Sequence, residues 1–227
     1  MELQILAGGA IAGPMGELAA VYEKASGHKL VLRFGTTPVL IGLATGGGPF
    51  DLVVVPVDVM KDAAARARLA SGPTIDIARA GLGIAVRAGA RKPDIGTDDA
   101  LKRTLLEAHS IATIPASAGG TQVLRVFEAL GIGEAMKARI HAQSTPAEVV
   151  HAVASGEVEL GIFLRNVLIA PGLEVVGPIP AALHQEVVFT AALAADTQKA
   201  NASQAFIDYL RTPAAAAVLK ARGLTPI

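Results

Sequence analysis

Three times in this chain a short apolar run ends in a turn of small residues, and a helix-like stretch follows. The runs at 3–7, 30–34 and 111–114 lead into Gly8-Gly9-Ala10, Gly35-Thr36-Thr37-Pro38 and Ser117-Ala118-Gly119-Gly120. A strand that turns straight into a helix leaves the first helical N–H groups without intrahelical partners. It also sets the positive end of the helix dipole at the same point. Such a place suits an anion. Three of them, two with hydroxyls, predict a cleft that grips a small oxyanion or carboxylate.

Composition narrows the fold. Of 227 residues 52% are hydrophobic but only 4% aromatic, with 24 Gly and no Trp, so the core is built from Ala, Val, Leu and Ile. Parallel strands covered by helices use such a core. Twenty basic and 20 acidic residues give zero formal charge without a long run of either sign. Nucleic acid is therefore not an expected partner, because phosphate backbones want clustered Lys and Arg. The chain has no Cys, which excludes disulfides, thiolate metal sites and thiol catalysis and leaves the redox compartment open. No two His or acidic residues have metal-ligand spacing, and no Gly-x-Ser-x-Gly, Walker or dinucleotide fingerprint is present. We expect neither a metal nor a cofactor. No apolar run is long enough to span a membrane. Met1-Glu2-Leu3-Gln4 has no basic n-region, so the chain as it stands reads as cytoplasmic, or as periplasmic if a signal has been removed.

Strands and helices alternate along the sequence, a parallel α/β pattern. Helices are expected at 14–26, 39–45, 57–70, 97–108, 121–130, 146–154, 202–211 and 213–221. Two long apolar stretches, 74–87 and 186–194, stand out. Each can carry the chain from one lobe to another, or each can be an ordinary strand of one doubly wound sheet; the pattern alone leaves both open.

A resemblance decides between them. Leu6-Ala7-Gly8-Gly9-Ala10-Ile11, Phe34-Gly35-Thr36-Thr37-Pro38 and Gly48-Pro49-Phe50-Asp51-Leu52-Val53-Val54 resemble, in that order, the periplasmic molybdate-binding proteins. Ile75-Asp76-Ile77-Ala78-Arg79 leading into Gly83-Ile84-Ala85-Val86 is similar to their crossover strand. Gly161-Ile162-Phe163-Leu164, Phe206-Ile207-Asp208-Tyr209-Leu210 with Pro213-Ala214-Ala215, and Gly223-Leu224-Thr225-Pro226 continue the likeness to the end. It implies a type II solute-binding fold: two α/β lobes with parallel-core sheets, a two-strand hinge and a ligand cleft between them. Lobe one is then 1–80 plus 188–227, and lobe two is 81–187, inserted. A monomer is expected, with an ABC permease as partner if the chain is exported.

The family holds a tetrahedral oxyanion with Ser hydroxyls, backbone N–H groups and a Tyr hydroxyl. Here the family serine falls at Ala10 and the family tyrosine at Leu164, which Arg165 follows. Two side-chain donors are lost and a guanidinium is gained, which suits a planar carboxylate better than molybdate. The ligand-binding candidates are Gly9, Ala10, Thr36, Thr37, Arg79, Ser117, Ala118, Gly119, Leu164 and Arg165. Plainer roles compete. Gly8-Gly9 can serve only the turn, Thr37-Pro38 and Ser117 can be helix caps, Arg79 can pair with an acid such as Asp76, Arg33 can do likewise, and Arg165 can be solvated.

Two function classes follow. One is an anion-binding protein whose closed form a permease reads, with a cytoplasmic ligand sensor as a variant. The other is an isomerase on the same fold. Aconitate isomerases resemble this family and move an allylic proton of a tricarboxylate. That chemistry needs a base near the carbon acid, and Asp58, His184 and Glu186 are the candidates.

Overall fold

The structure, a computed structural model, describes residues 1–227. The chain divides into two compact units, Met1–Arg79 with Val187–Ile227, and Ala80–Glu186. It passes from one to the other twice.

The first pass through unit one lays down β1 (Glu2–Gly8), α1 (Ala12–Ser26), β2 (Lys29–Gly35), α2 (Thr37–Thr45), β3 (Leu52–Pro56), α3 (Ala63–Ala67) and β4 (Ile75–Ala80). Gly27 ends α1 with a φ of 68°, a left-handed conformation that glycine takes without strain. All five residues of β3 are buried, as expected for a central strand covered on both faces. The stretch 57–70 is not the single helix that its composition suggests. A short 3-10 turn spans Val57–Lys61, and Asp62 then takes an extended conformation. Its side chain accepts the Ala65 N–H at 2.8 Å and so starts α3 afresh.

Unit two contains β5 (Leu82–Arg87), α4 (Asp98–Glu107), β6 (Ile111–Thr113), α5 (Ala118–Ala129), α6 (Gly133–Lys137), β7 (Ile140–Ala142), α7 (Pro146–Ser155), β8 (Leu160–Leu164), α8 (Arg165–Leu168) and β9 (Leu173–Pro178). Thr97 and Thr145 cap α4 and α7 through their hydroxyls. The chain returns to unit one as β10 (Val187–Leu193), α9 (Ala200–Leu210), α10 (Pro213–Ala221) and β11 (Thr225–Pro226).

Each unit has its own sheet. The order in unit one is β11-β4-β10-β3-β1-β2, and in unit two β7-β6-β8-β5-β9. β1 runs parallel to β2 and β3, and β6 runs parallel to β7 and β8. These are the expected parallel cores. β10 is antiparallel to β3, and β5 is antiparallel to β8 and β9. Both sheets are therefore mixed, and β11 is antiparallel to β4 as well. The apolar stretch 74–87 is two strands, β4 and β5, separated by Gly81.

Leu6, Leu40, Phe50, Val53, Val55, Val59, Leu69 and Ala192 form one apolar cluster in unit one. Unit two buries Ile84, Leu101, Leu105, Val123, Val126, Phe127, Val149, Val153 and Phe163 at 2% exposure or less. Full burial of each Leu, Ile, Val or Phe contributes about 1.5–3 kcal/mol. Each unit thus has a core of its own.

Candidate functional site

In unit one the candidate residues gather at the carboxyl ends of three adjacent parallel strands. Gly8 and Gly35 are register partners at the ends of β1 and β2, and Ala7 pairs with Val54 of β3. The turns at Gly9-Ala10 and Thr36-Thr37 therefore leave the sheet side by side. The turn carrying Asp58 leaves from the next strand.

Close packing dictates the glycines here. A Cβ on Gly8 would come within 2.9 Å of the Phe189 ring, and one on Gly35 within 2.7 Å of Val39 Cγ1. Gly9 opens a 3-10 turn, Gly9–Ile11, that carries the chain into α1. Ala10 brings a methyl group and a backbone N–H to this turn.

Thr36 is the N-cap of α2, yet its hydroxyl makes no capping bond. Its carbonyl accepts the Leu40 N–H at 2.9 Å, the first intrahelical bond of α2. Thr37 is the first helical residue, with Pro38 after it. Asp58 is held by Lys61, Nζ to Oδ1 at 2.8 Å. Arg33 donates through Nη2 to the Pro49 carbonyl and fastens the loop before β3. Arg79 is exposed on β4, beside Thr225 in register. Asp76 is an odd number of residues away on the same strand, hence on its opposite face.

In unit two β6 and β8 run parallel, with Ala112 beside Gly161, so the turns after them leave one edge of the sheet. Ser117 is 9% exposed and caps α5. Its hydroxyl accepts the Gly120 N–H at 3.0 Å and donates to the Ile114 carbonyl at 2.7 Å. Both functions of that oxygen are taken by backbone. Ala118 is buried. A Cβ on Gly119 would lie 2.9 Å from the Phe163 ring and 3.1 Å from Leu164 Cγ. One on Gly120 would lie 1.8 Å from the Ile114 carbonyl oxygen. These glycines exist because β8 and the preceding turn press on the start of α5.

Leu164 is 2% exposed and pairs with Leu82. Arg165 begins α8 and is exposed. Its N–H donates to the Gly81 carbonyl at 2.9 Å, and its Cβ and Cγ lie over Gly83. The stem is thus anchored, and the guanidinium is presented outward.

His184 accepts the Leu82 N–H at Nε2 (3.1 Å), and its Nδ1 lies 3.2 Å from the Pro180 carbonyl. An acceptor at Nε2 requires the proton on Nδ1, which then donates to Pro180. Burial pushes the imidazole pKa below its ordinary value, with the Pro180 bond and the Glu186 charge pulling the other way. With both ring nitrogens on backbone, His184 has no lone pair to offer a substrate proton. Glu186 Oε1 lies beside Gly81, 3.7 Å from where a Cβ would be.

Two contributors escaped the sequence reading. Gln122 is 7% exposed on α5, and its Oε1 accepts the Gln185 N–H at 3.0 Å. Arg125 of the same helix donates to Gln185 Oε1 at 3.1 Å. The signal was a lone amide on the apolar stripe of Gly119, Val123 and Val126. Asp51 was the other. It is 6% exposed, and it accepts from the Gln4 N–H, the Thr197 hydroxyl and Lys199 Nζ.

Chemically, each unit offers helix-start N–H groups beside small residues. Unit one adds the Thr36 hydroxyl, and unit two adds the Arg165 guanidinium. No group of three or more His, Cys, Asp or Glu side chains is placed to hold a metal ion, and no helix is long and apolar enough to cross a membrane.

Comparison with known proteins returns the same architecture. A family model described as bacterial extracellular solute-binding protein matches residues 3–225. An aconitate isomerase from a Pseudomonas species is 33% identical over 233 residues, covering 99% of this chain and 88% of that protein. The molybdate-binding protein ModA of Azotobacter vinelandii is 26% identical over 228 residues, covering 98% and 89%. Among solved structures, the Azotobacter vinelandii periplasmic molybdate-binding protein superposes with a TM-score of 0.83 at 20% identity, covering 98% of each chain.

Proposed function

This chain belongs to the bacterial extracellular solute-binding protein family, and from that premise we propose that it binds a small organic polycarboxylate. The observation that carries the reading is the donor set. Ala10 and Leu164 stand where the molybdate binders are expected to place hydroxyls. An exposed guanidinium, Arg165, follows Leu164 at the end of β8. A compact dianion held by neutral donors loses two of them here, whereas a planar carboxylate gains a fork that fits it bidentately. The identity to an aconitate isomerase, 33% against 26% for ModA, supports a tricarboxylate as the first ligand to try. Thr36 and Arg165 are the side-chain donors proposed for that ligand, and it shifts a conformational equilibrium only by its differential affinity for the ligand-bound form. An ABC permease reading that form is the partner this mechanism implies.

Calorimetric titration with cis-aconitate, trans-aconitate, citrate, molybdate and sulfate tests the proposal. Binding of at least one organic acid more tightly than molybdate is the expected result. Tight molybdate binding with no response to any of the acids would overturn it.

A second reading, an isomerase acting on the same ligand, is favoured by that same relative. Its base would be Asp58 or Glu186, because both ring nitrogens of His184 are already occupied. Incubation with either aconitate isomer, followed by proton NMR, separates catalyst from carrier. A new set of olefinic resonances marks the enzyme, and an unchanged spectrum marks the binding protein.

A further inference from the structure

The polypeptide crosses between its units at residues 79–80 and 186–187. One side chain of unit two fastens the two crossing segments to each other. His184, two residues before the exit, receives the N–H of Leu82, two residues after the entry, at 3.1 Å. Its other nitrogen is tied to Pro180, ahead of the 3-10 turn Ala181–Leu183. Gly81 lies against the ring: a Cβ there would sit in ordinary contact with it, 3.5 Å from Nε2. Gln185 is gripped in turn by Gln122 and Arg125 of α5, so the exit segment has a rigid backing against which the imidazole works.

We propose that His184 is an acid-released latch between the entry and exit segments of the inserted unit. The geometry sets its sense. Nε2 can accept from Leu82 only while it lacks a proton. The imidazolium carries N–H at both nitrogens, so protonation turns two complementary groups into two facing donors. Leu82 is 1% exposed, so its N–H has no ready access to water as a substitute partner. The Pro180 bond survives protonation, so the ring swings on one anchor rather than leaving altogether. The charged groups around it are Glu186 on its own segment, Arg125 of α5 at the neighbouring Gln185, and Arg165 of α8, whose backbone holds Gly81. Glu186 favours the imidazolium; burial opposes it and prevails. The latch is therefore closed at neutral pH and opens in mild acid, freeing the two segments to flex separately.

The test uses the full chain without ligand, so its outcome does not depend on what the protein binds. Long-range nitrogen–proton NMR of the imidazole reports the tautomer and its titration. Amide hydrogen exchange at Leu82, corrected for the intrinsic pH dependence of exchange, reports the latch. The expected result is the Nδ1–H tautomer at pH 7.5, with a His184 midpoint below 6.5. Leu82 protection should fall at least tenfold between pH 7.5 and pH 4.5, while β5 residues such as Ile84 keep theirs. His184→Gln retains an acceptor and a donor without titrating, and should hold Leu82 protection constant over that range. An Nε2–H tautomer at pH 7.5, or Leu82 protection that does not change with pH in the wild-type protein, would overturn the proposal. So would an equal loss of protection in His184→Gln, since the cause would then lie elsewhere.

Discussion

Lys199 and Asp51 lie 148 positions apart in sequence, and Nζ and Oδ2 lie 3.1 Å apart in space. The same carboxylate takes the Gln4 N–H and the Thr197 hydroxyl, each at 2.8 Å. It therefore ties the start of β1 and the entry to β3 to the segment that leads into α9. Burial acts to raise the Asp51 pKa, but these bonds and the Lys199 charge outweigh it and hold the carboxyl below its usual range. The stability this contributes is complete above the unfolded-state pKa of about 3.9. It is lost as pH falls through that value toward the lower folded pKa. Asp51→Asn should cost about 1–3 kcal/mol at pH 7, and the gap from wild type should narrow below about pH 4. Urea melts at pH 7 and pH 3 check both statements.

Two glycine-to-alanine changes should have opposite signs. Gly120→Ala drives a methyl into the Ile114 carbonyl, 1.8 Å away. Overpacking costs about 1–3 kcal/mol where neighbours can yield, and here the neighbour is backbone, so the loss should exceed that range or prevent unit two from folding. Gly16 lies within α1 with nothing near its missing Cβ. Gly16→Ala should stabilise by about 0.5–1 kcal/mol. Thermal unfolding of both variants decides the matter.

The hydroxyls of Thr36 and Ser117 should separate binding from stability. Ser117→Ala removes a cap and should cost about 0.5–2 kcal/mol of stability. Thr36→Ala removes no capping bond and should leave the melting temperature nearly unchanged. A hydrogen bond from Thr36 to a charged ligand is worth about 1.5–3 kcal/mol, so that variant should bind tenfold more weakly or worse. Arg165→Ala should behave alike, with Arg165→Lys recovering part of the affinity because it keeps the charge without the fork. If all three titrate like wild type, the carboxylate reading fails at these positions.

Residues 80–186 produced alone should give a cooperative unfolding transition, because that segment carries a complete five-stranded sheet and its core. Residues 1–79 alone should not, since β3 would lack β10. Circular dichroism and denaturant melts of the two fragments read this directly. A molten 80–186 fragment would mean that unit two depends on its host.

Much of this fold is legible because its punctuation is chemical. Gly27, Thr97 and Thr145 each mark a helix end by a mechanism that acts within a few residues. The extended Asp62 conformation that breaks 57–70 is local too, but an aspartate in an Ala-rich run reads equally as a solvated helical face. β9 was invisible for a different reason. It is a half-buried edge strand closing on Gly177 and Pro178, and its partner β5 lies some ninety positions upstream. The candidate site shows the same division. That Ser117 starts a helix could be read from spacing; that both functions of its oxygen are spent on backbone could not. His184 is the clearest instance, since the bond that defines it joins residues 102 positions apart.

The strand order of unit one also bears on how the chain is made. β4 has β10 and β11 as its sheet neighbours, and both are synthesised after the whole of unit two. A nascent chain leaving the ribosome amino end first therefore holds an unpaired, partly apolar strand through that interval. Unit two can fold in the meantime, and its completed core then delivers β10 for unit one to close. Any pause in translation within residues 80–186 lengthens the life of that open edge, and with it the demand for a holding chaperone.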